Sequence, residues 1–182
     1  MLDSWLQEVT ICAHMNYWLI KSEGSCYSID DLARDCKAAG KKGAVPWTGI
    51  RNYQARNFMR DGMKAGDLVL FYHSNGTPAD PAGVYGVARV ASGPHIDLSA
   101  LDKKDMHFDP KAVQYEKEGK APLWSCVDMA FVEKFAHPVD LVEIKRDPAL
   151  AGILVAKTGQ RLSVMPVSEK HFKRIAEVGN RK

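Results

Sequence analysis

The chain has 182 residues, 46% of them hydrophobic and 26% charged, with a formal net charge of +3. A length in this range favours a single soluble domain, and the composition excludes a disordered chain. The net charge is too small for a protein that coats nucleic acid with positive charge, so any anion-binding function requires a local arrangement of basic residues.

The first 14 residues lack the basic segment and the long apolar core of a signal peptide. No stretch approaches the roughly 18 apolar residues that a membrane-spanning helix needs, so we expect a cytoplasmic protein that binds no membrane. The strand-like segment NYWLIKS begins directly after Met15. Residues 1–14 are therefore interpreted as a disordered extension or an upstream start, and residues 15–182 as one domain.

The first predicted elements are a strand and a helix. Residues 17–21 are aromatic and β-branched, and their alternation places Trp18 on one face of the strand and Lys21 on the other. Ser28 begins a Ser-x-x-acid signature of a helix start, and Gly40 supplies a stop. The sequence therefore predicts a helix between these two residues.

A second helix is predicted over residues 51–61. Ala55, Phe58 and Met59 recur at the helical spacing of three and four residues, so they form its buried side, and Gly62 can end it. The opposite, solvent-facing side carries Tyr53, Arg56, Asn57 and Arg60.

The rest of the chain is dominated by strand patterns. Strands are predicted at residues 67–73, 83–90, 124–131, 139–144 and 162–167, followed by a helix at residues 169–178 that Ser168 caps. The first two would pair as an antiparallel hairpin, whereas the charged residues 97–122 would form a long connection. This order predicts an α+β domain with a curved, largely antiparallel sheet that closes partly into a barrel.

Motifs for catalysis and metal binding are missing from the sequence. It contains no Gly-x-Ser-x-Gly elbow, no phosphate-binding glycine loop and no Cys-x-x-Cys pair. The four cysteines, Cys12, Cys26, Cys36 and Cys126, are far apart. This spacing favours reduced, packed thiols over metal ligands, so we expect no metal site and no catalytic residue.

One stretch stands out by its composition. WTGIRNYQARNFMR, residues 47–60, contains three arginines and no acidic residue. Arg51 and Asn52 lie at the predicted start of the second helix, where free backbone amides and the helix dipole favour a phosphate, and Arg56 adds a bidentate donor. Trp47 either stacks on a base, worth about 1–3 kcal/mol, or packs on the helix start as a hydrophobic staple. A solvated basic face is the other interpretation of the arginines.

Five ordered segments resemble the EVE domain family: YWLIKSE, WTGIRNYQARNFMR, GDLVLFYHSN, GVYGVARV and RLSVMPV. They span residues 16–178, nearly the whole chain. The resemblance implies a PUA-like pseudo-barrel, related to the YTH readers of N6-methyladenine. It also implies a non-enzymatic reader of modified bases, such as 5-methylcytosine, that needs no cofactor. Thr48 stands where an acidic residue would be expected, so the resemblance assigns its side chain no definite role.

The resemblance further implies a single pocket for the base. Its predicted residues are Lys21, Ser22, Glu23, Trp47, Thr48, Tyr72, Ser74, Asn75 and Trp124. Trp47 would stack on the base, Lys21 would contact a phosphate or a base carbonyl, and Glu23 would accept from the exocyclic amine of cytosine. Tyr72 and Trp124 have a second interpretation as core aromatics. The predicted phosphate contacts are Arg51, Asn52, Arg56 and Arg161.

Two other functions stay open at this point. An enzyme of the related ASCH type would use Lys21, Tyr72 or His73 on RNA or a nucleoside, and a binder of a small anionic metabolite would use the same pocket. For a reader, we expect a monomer that binds modified DNA or RNA, as a single strand or through a flipped base. In that case Trp47→Ala should remove base-dependent binding with little loss of fold.

Overall fold

The computed structural model describes residues 15–181, so the predicted extension at residues 1–14 lies outside the described residues. The strands are β1 (Tyr17–Glu23), β2 (Val45–Pro46), β3 (Leu68–Ser74), β4 (Gly83–Val90), β5 (His95–Ile96), β6 (Ser125–Cys126), β7 (Asp128–Asp140) and β8 (Val164–Val167). The α-helices are α1 (Ile29–Ala38), α2 (Tyr53–Asn57), α3 (Pro110–Lys117), α4 (Leu141–Arg146) and α5 (Glu169–Gly179). A π-helical turn, Phe58–Gly62, continues α2.

Six strands form one curled sheet in the order β2-β7-β4-β3-β1-β8. The neighbouring strands β3 and β1 are parallel, with Tyr17 opposite Leu68 and Glu23 opposite Ser74. The other pairs of this sheet are antiparallel, including the predicted hairpin of β3 and β4. The structure therefore confirms the α+β class and the curved sheet, and adds one parallel pair, β1 with β3.

Each face of the sheet packs against its own helices. Leu19, Leu70 and Met165 belong to one hydrophobic cluster, which Phe172 and Ile175 of α5 complete. Burial of this kind stabilises a fold by about 1.5–3 kcal/mol for each large apolar side chain. This face also contains the side chains that alternate with Trp18 in β1, as the strand pattern predicts.

The opposite face of the sheet is covered by α1 and α2. Trp18, Ile20 and Phe71 contribute the sheet side of a second cluster, and Ile29 and Leu32 contribute the α1 side. Ala55 of α2 and Met59 of its π turn also belong to this cluster, and neither has any exposed surface. Both residues were predicted to be buried, and the structure confirms this.

The predicted helix starts are confirmed where a side chain caps them. Ser28 accepts a hydrogen bond from the Asp31 amide, and the Asp31 carboxylate accepts one from the Ser28 amide. Hydrogen bonds from the Ser28 backbone and hydroxyl lower the pKa of Asp31 to about 2. Ser168 likewise caps α5 by accepting from the His171 amide.

Three predictions about the elements are wrong in detail. The strand predicted at residues 139–144 is the end of β7 followed by α4, because the Asp140 carboxylate caps a helix by accepting from the Glu143 amide. The second helix begins at Tyr53 rather than at residue 51, since Asn52 is its cap. The connection at residues 97–122 contains a 3₁₀ turn, Leu98–Ala100, and the helix α3.

Within residues 15–181, no helix is long and apolar enough to cross a membrane. In the same part of the chain, no group of three or more histidine, cysteine or acidic side chains is arranged to hold a metal ion. Cys26, Cys36 and Cys126 are free thiols, and the last two are buried. Cys12 lies outside the described residues.

Candidate nucleic-acid interface

Four predicted pocket residues meet where the parallel strands β1 and β3 end. The Ser74 hydroxyl donates to the Ser22 carbonyl oxygen at 3.2 Å. Asn75 Nδ2 donates to Glu23 Oε1 at 2.8 Å. Because the two strands are parallel, their carboxyl ends lie side by side, which brings together residues about fifty positions apart. Glu23 and Asn75 are exposed, so this strand end presents polar groups to a ligand.

Lys21 and Tyr72 lie together next to this strand end. The Lys21 Nζ donates to the Gln160 carbonyl oxygen at 3.1 Å and lies 5.7 Å from the centroid of the Tyr72 ring. Burial lowers the pKa of Lys21 and raises the pKa of Tyr72. Lys21 therefore holds the loop before β8 against the sheet. Arg161 follows Gln160 directly in that loop and is exposed.

Trp47 belongs to the hydrophobic cluster of the α1 face. Its ring contacts Tyr27 and Phe71, with centroids 5.8 Å and 5.5 Å away, and the residue is only 8% exposed. The sequence-based expectation that Trp47→Ala leaves the fold intact is therefore not supported, because this tryptophan is part of the core. Its Nε1–H has no hydrogen-bond partner among the described residues.

His73 is a candidate ligand contact that the sequence pattern did not place in the reader pocket. It lies opposite Ser22 in the parallel register and is 4% exposed. Its Nε2 accepts from the Ile29 amide at 3.1 Å, so the proton of the neutral ring is on Nδ1. Burial lowers the pKa of His73, which favours this neutral form. Nδ1 has no partner among residues 15–181, and a Cβ on Gly24 would lie 2.9 Å from it.

Five aromatic side chains form a continuous series of ring contacts, which we call the aromatic row: Tyr27, Trp47, Phe71, His73 and Tyr85. Phe71 lies between the two rings with unpartnered donors, at 5.5 Å from Trp47 and 5.7 Å from His73. His73 in turn stacks on Tyr85 at 3.9 Å. A buried N–H without an acceptor costs about 1–3 kcal/mol, so a row with two of them is suited to a flat ligand that offers acceptors.

Trp124 lies in a different hydrophobic cluster, with Ala112 and Leu123. Its ring stacks on Tyr53 at 5.0 Å, and its Nε1 donates to Asp109 Oδ2 at 2.7 Å. Trp47 and Trp124, the two predicted pocket tryptophans, therefore belong to separate hydrophobic clusters. The core interpretation accounts for Trp124 without a ligand.

Arg51 holds residues 97–107 against the loop that follows Trp47. Its Nη1 pairs with Asp97 Oδ2 at 2.7 Å, and its Nε and Nη2 donate to the His107 carbonyl oxygen at 2.8 Å and 2.6 Å. Burial favours a higher pKa for Asp97, but hydrogen bonds from Arg51, Ser99 and the Gly49 amide outweigh it and lower the pKa. The guanidinium predicted to bind phosphate is thus paired with a buried carboxylate.

Asn52 and Arg56 also have partners within the chain. The Asn52 side chain accepts from the amides of Gln54 and Ala55, which occupies donors that were predicted to bind a phosphate. Arg56 Nη1 donates to the Leu123 carbonyl oxygen at 2.7 Å. Thr48 is exposed. Arg161, the fourth predicted phosphate contact, is exposed and follows Gln160, whose carbonyl oxygen accepts from Lys21.

A Cys-His-Asp arrangement elsewhere in the fold bears on the enzyme alternative. Cys126 Sγ lies 3.4 Å from His95 Nδ1, and His95 Nε2 lies 3.2 Å from Asp128 Oδ1. A nucleophilic cysteine needs a lowered pKa and access to substrate. Cys126 has neither, because burial raises its pKa to about 12 and leaves it 1% exposed. This arrangement therefore does not favour catalysis.

Comparisons with known proteins agree with the fold. The family model described as EVE domain matches residues 16–178. Thymocyte nuclear protein 1 from Mus musculus is 36% identical over 173 residues, which cover 86% of this chain and 70% of the mouse protein. The human protein of the same name is 35% identical over 173 residues, covering 86% of this chain and 71% of its own.

Solved structures are similar over nearly the whole chain. A hypothetical protein from Leishmania major has a TM-score of 0.78 and 41% identity, covering 91% of this chain and 94% of its own. Human thymocyte nuclear protein 1 in complex with DNA containing 5-methylcytosine has a TM-score of 0.75 and 32% identity, covering 92% of this chain and 99% of its own. The curled sheet is thus the predicted PUA-like fold, and the chain belongs to the EVE domain family.

Proposed function

We propose that this protein is a non-enzymatic nucleic-acid-binding domain that recognises a modified base. The observation that carries the proposal is the similarity to human thymocyte nuclear protein 1, a structure determined with DNA containing 5-methylcytosine, over 92% of this chain at 32% identity. Arg161, which is exposed in the loop before β8, is the basic side chain that would contact a phosphate of the nucleic acid.

The base would lie at the end of β1 and β3, beside the aromatic row. The N–H groups of Trp47 and His73 would donate to acceptors of the base, and Ser22 and Glu23 would contact its edge. Trp47 is 8% exposed, so a base reaches it only when a covering group moves. Tyr27, which contacts the Trp47 ring and lies in the turn before α1, is one such group.

Glu23 is the residue that we expect to favour cytosine over adenine. Its exposed carboxylate can only accept hydrogen bonds, and carboxylates pair with the N4 amine of cytosine, whereas adenine is bound in bidentate fashion by side-chain amides. We expect Glu23→Gln to reduce the preference for 5-methylcytosine over N6-methyladenine by about tenfold, as measured by fluorescence anisotropy.

Glu143→Gln is the matched control, because Glu143 is an exposed carboxylate on α4, remote in sequence from this strand end. It should leave the preference unchanged. An unaltered ratio of affinities in Glu23→Gln would show that this carboxylate does not read the base.

The function itself is tested by titrating the protein with matched oligonucleotides. They carry cytosine, 5-methylcytosine, 5-hydroxymethylcytosine, adenine or N6-methyladenine at one position. Burial of one methyl group is worth about 0.8 kcal/mol, so we expect about fourfold tighter binding of 5-methylcytosine than of cytosine. Equal, strongly salt-dependent binding of all five would instead indicate a generic nucleic-acid binder.

A further inference from the structure

Arg161 differs from the other predicted phosphate contacts in its bonding. Arg51, Asn52 and Arg56 each bond to groups of the chain itself. Arg161 is exposed and has no hydrogen-bond or ion-pair partner among residues 15–181. An arginine side chain has five N–H donors, and here the fold uses none of them. Its guanidinium is therefore available to a ligand.

The loop that carries Arg161, residues 157–163, is ordered by its own hydrogen bonds, and we call it the Arg161 loop. It begins with a turn in which the Gln160 amide donates to the Lys157 carbonyl oxygen at 3.2 Å. Gly159 in this turn has a φ of +74°, a conformation that favours glycine. Gln160 Oε1 then accepts from the Leu162 amide at 3.0 Å. The residues on both sides of Arg161 are thus held in place.

Lys21 joins the Arg161 loop to β1 at two points, one before and one after Arg161. Its Nζ donates to the Gln160 carbonyl oxygen at 3.1 Å, and its backbone amide donates to the Ser163 carbonyl oxygen at 2.8 Å. Burial lowers the pKa of Lys21, as expected for an ammonium group directed at protein rather than at water. Only the first bond depends on the Lys21 side chain, so a substitution at this position leaves the second in place.

The same strand carries a residue of the proposed base site. Glu23 follows Lys21 by two residues in β1, and its carboxylate accepts from Asn75 Nδ2 at 2.8 Å. The Arg161 loop bonds to Lys21 directly, so it lies alongside the strand whose end would contact the base. This arrangement connects an unpaired cation with the base site through one buried ammonium group.

We propose that Lys21 is a positioning residue, which holds the Gln160 carbonyl so that Arg161 binds a phosphate next to the recognised base. The inference rests on the proposed function and deepens it, because it assigns this phosphate to one side chain. It replaces the expectation that Lys21 itself contacts a phosphate or a base carbonyl. A loop that is ordered before binding loses less freedom on binding, so its arginine contributes more affinity.

The test is a double-mutant cycle of Lys21→Met and Arg161→Gln, with a single-stranded oligonucleotide containing 5-methylcytosine as the probe. One phosphate contact changes the slope of log K against log salt by about 0.7, which corresponds to about fivefold in affinity at about 0.1 M salt. We expect both effects in Arg161→Gln. Lys21→Met should weaken binding about threefold alone and less than about 1.5-fold in the Arg161→Gln background, because the two changes remove one contact.

Two further variants separate position from charge. Lys21→Arg keeps the charge and a donor for the Gln160 carbonyl, so its affinity should stay within about twofold of the wild type. Lys145→Met is the matched control, because it removes the charge of an exposed lysine on α4. It should leave both the affinity and the salt slope unchanged.

Hydrogen exchange of the ligand-free protein measures the role of Lys21 without a nucleic acid. The Leu162 amide bonds to the side chain of Gln160, the residue that Lys21 holds. Lys21→Met should therefore raise the exchange rate of this amide at least about threefold, with no change in the amides of β3. An unchanged rate at Leu162 would overturn the positioning role.

The binding outcomes separate this inference from the proposed function. Additive losses in the double variant, with a second fall of about 0.7 in the salt slope, would show that Lys21 contacts a phosphate itself. That result, or full affinity in either single variant, would overturn the positioning role alone if the wild type still prefers 5-methylcytosine to cytosine. Wild-type protein that binds no oligonucleotide would overturn the proposed function and this inference with it.

Discussion

Trp47→Ala is expected to lower the free energy of unfolding by about 3–5 kcal/mol, the range for removal of a large core aromatic. The residue is 8% exposed, and its ring contacts Tyr27 and Phe71 within the cluster below α1. Unfolding in guanidinium chloride measures the change. A loss below about 1 kcal/mol would mean that the ring is dispensable for packing.

Trp47→Phe separates the binding role of Trp47 from its packing role. Phenylalanine keeps an aromatic ring in the cluster but removes the indole N–H, which has no partner among the described residues. Removing an unsatisfied donor relieves a desolvation cost that partly offsets the lost volume, so we expect a smaller loss of stability than for alanine. We also expect at least about a fivefold loss of affinity for 5-methylcytosine, the value of one hydrogen bond of about 1 kcal/mol.

The matched control for this variant is Trp124→Phe. This variant also removes an indole N–H, but the N–H of Trp124 donates to Asp109, and Trp124 belongs to a different hydrophobic cluster from Trp47. Trp124→Phe should therefore leave the affinity for 5-methylcytosine unchanged, although it removes an internal hydrogen bond. A loss of binding in Trp124→Phe equal to that in Trp47→Phe would instead support the predicted cage that contains both rings.

Arg51→Ala is expected to lower the free energy of unfolding by about 3–5 kcal/mol, because it leaves a buried carboxylate without its counter-charge. The Asp97 side chain has no exposed surface, and that of Arg51 is 23% exposed. The His107 carbonyl and the Ser99 hydroxyl lose donors in the same variant. Denaturant unfolding measures the loss, and hydrogen exchange should show residues 97–107 opening more often than the sheet.

The control for this prediction is Arg60→Ala. Arg60 pairs with Asp61 at 2.7 Å, but both side chains are largely exposed, so the variant should cost less than about 1 kcal/mol. An effect of Arg51→Ala as small as this would contradict the structural role that we assign to Arg51.

The acid sensitivity of the protein supplies a second measurement on this pair. Because the folded state lowers the pKa of Asp97, its carboxylate contributes stability above the unfolded pKa of about 3.9. That contribution is lost as the pH falls through the lower pKa of the folded state. Arg51→Ala should remove it, so the variant should be least different from the wild type in strong acid.

Local patterns in the sequence predicted the local structure well. The alternation in β1 assigned Trp18 to one face, and the Ser28 capping box placed the start of α1, because both depend on residues within one turn or one strand. The strand predicted at residues 139–144 failed for a local reason too. The Asp140 cap outweighs the β-branched residues around it and starts α4.

The arrangement of the candidate site could be predicted only in part, because it depends on contacts between distant residues. The resemblance to the EVE family predicted Ser22 and Asn75 in one pocket, and the structure places both at one strand end, although no local pattern shows that β1 and β3 are parallel. The basic composition around Arg51 suggested a phosphate contact, but its actual partner, Asp97, is 46 residues later in the sequence. His73 was not among the residues predicted for the reader pocket, because what makes it a candidate is a donor that the fold leaves unpaired.

The indole N–H resonances of the tryptophans test the central claim most directly. Trp18 Nε1 donates to Asp67 at 2.9 Å and Trp124 Nε1 donates to Asp109 at 2.7 Å, whereas Trp47 Nε1 has no partner among residues 15–181. We would assign these resonances with tryptophan-to-phenylalanine variants and titrate the protein with a single-stranded oligonucleotide containing 5-methylcytosine, then with its cytosine counterpart.

The account predicts that the Trp47 resonance moves downfield as its N–H gains an acceptor, while those of Trp18 and Trp124 stay in place. The shift should saturate at lower concentration with 5-methylcytosine than with cytosine. A saturating oligonucleotide that leaves the Trp47 resonance unmoved would contradict a base beside the aromatic row, and identical titrations with both oligonucleotides would contradict recognition of the modification.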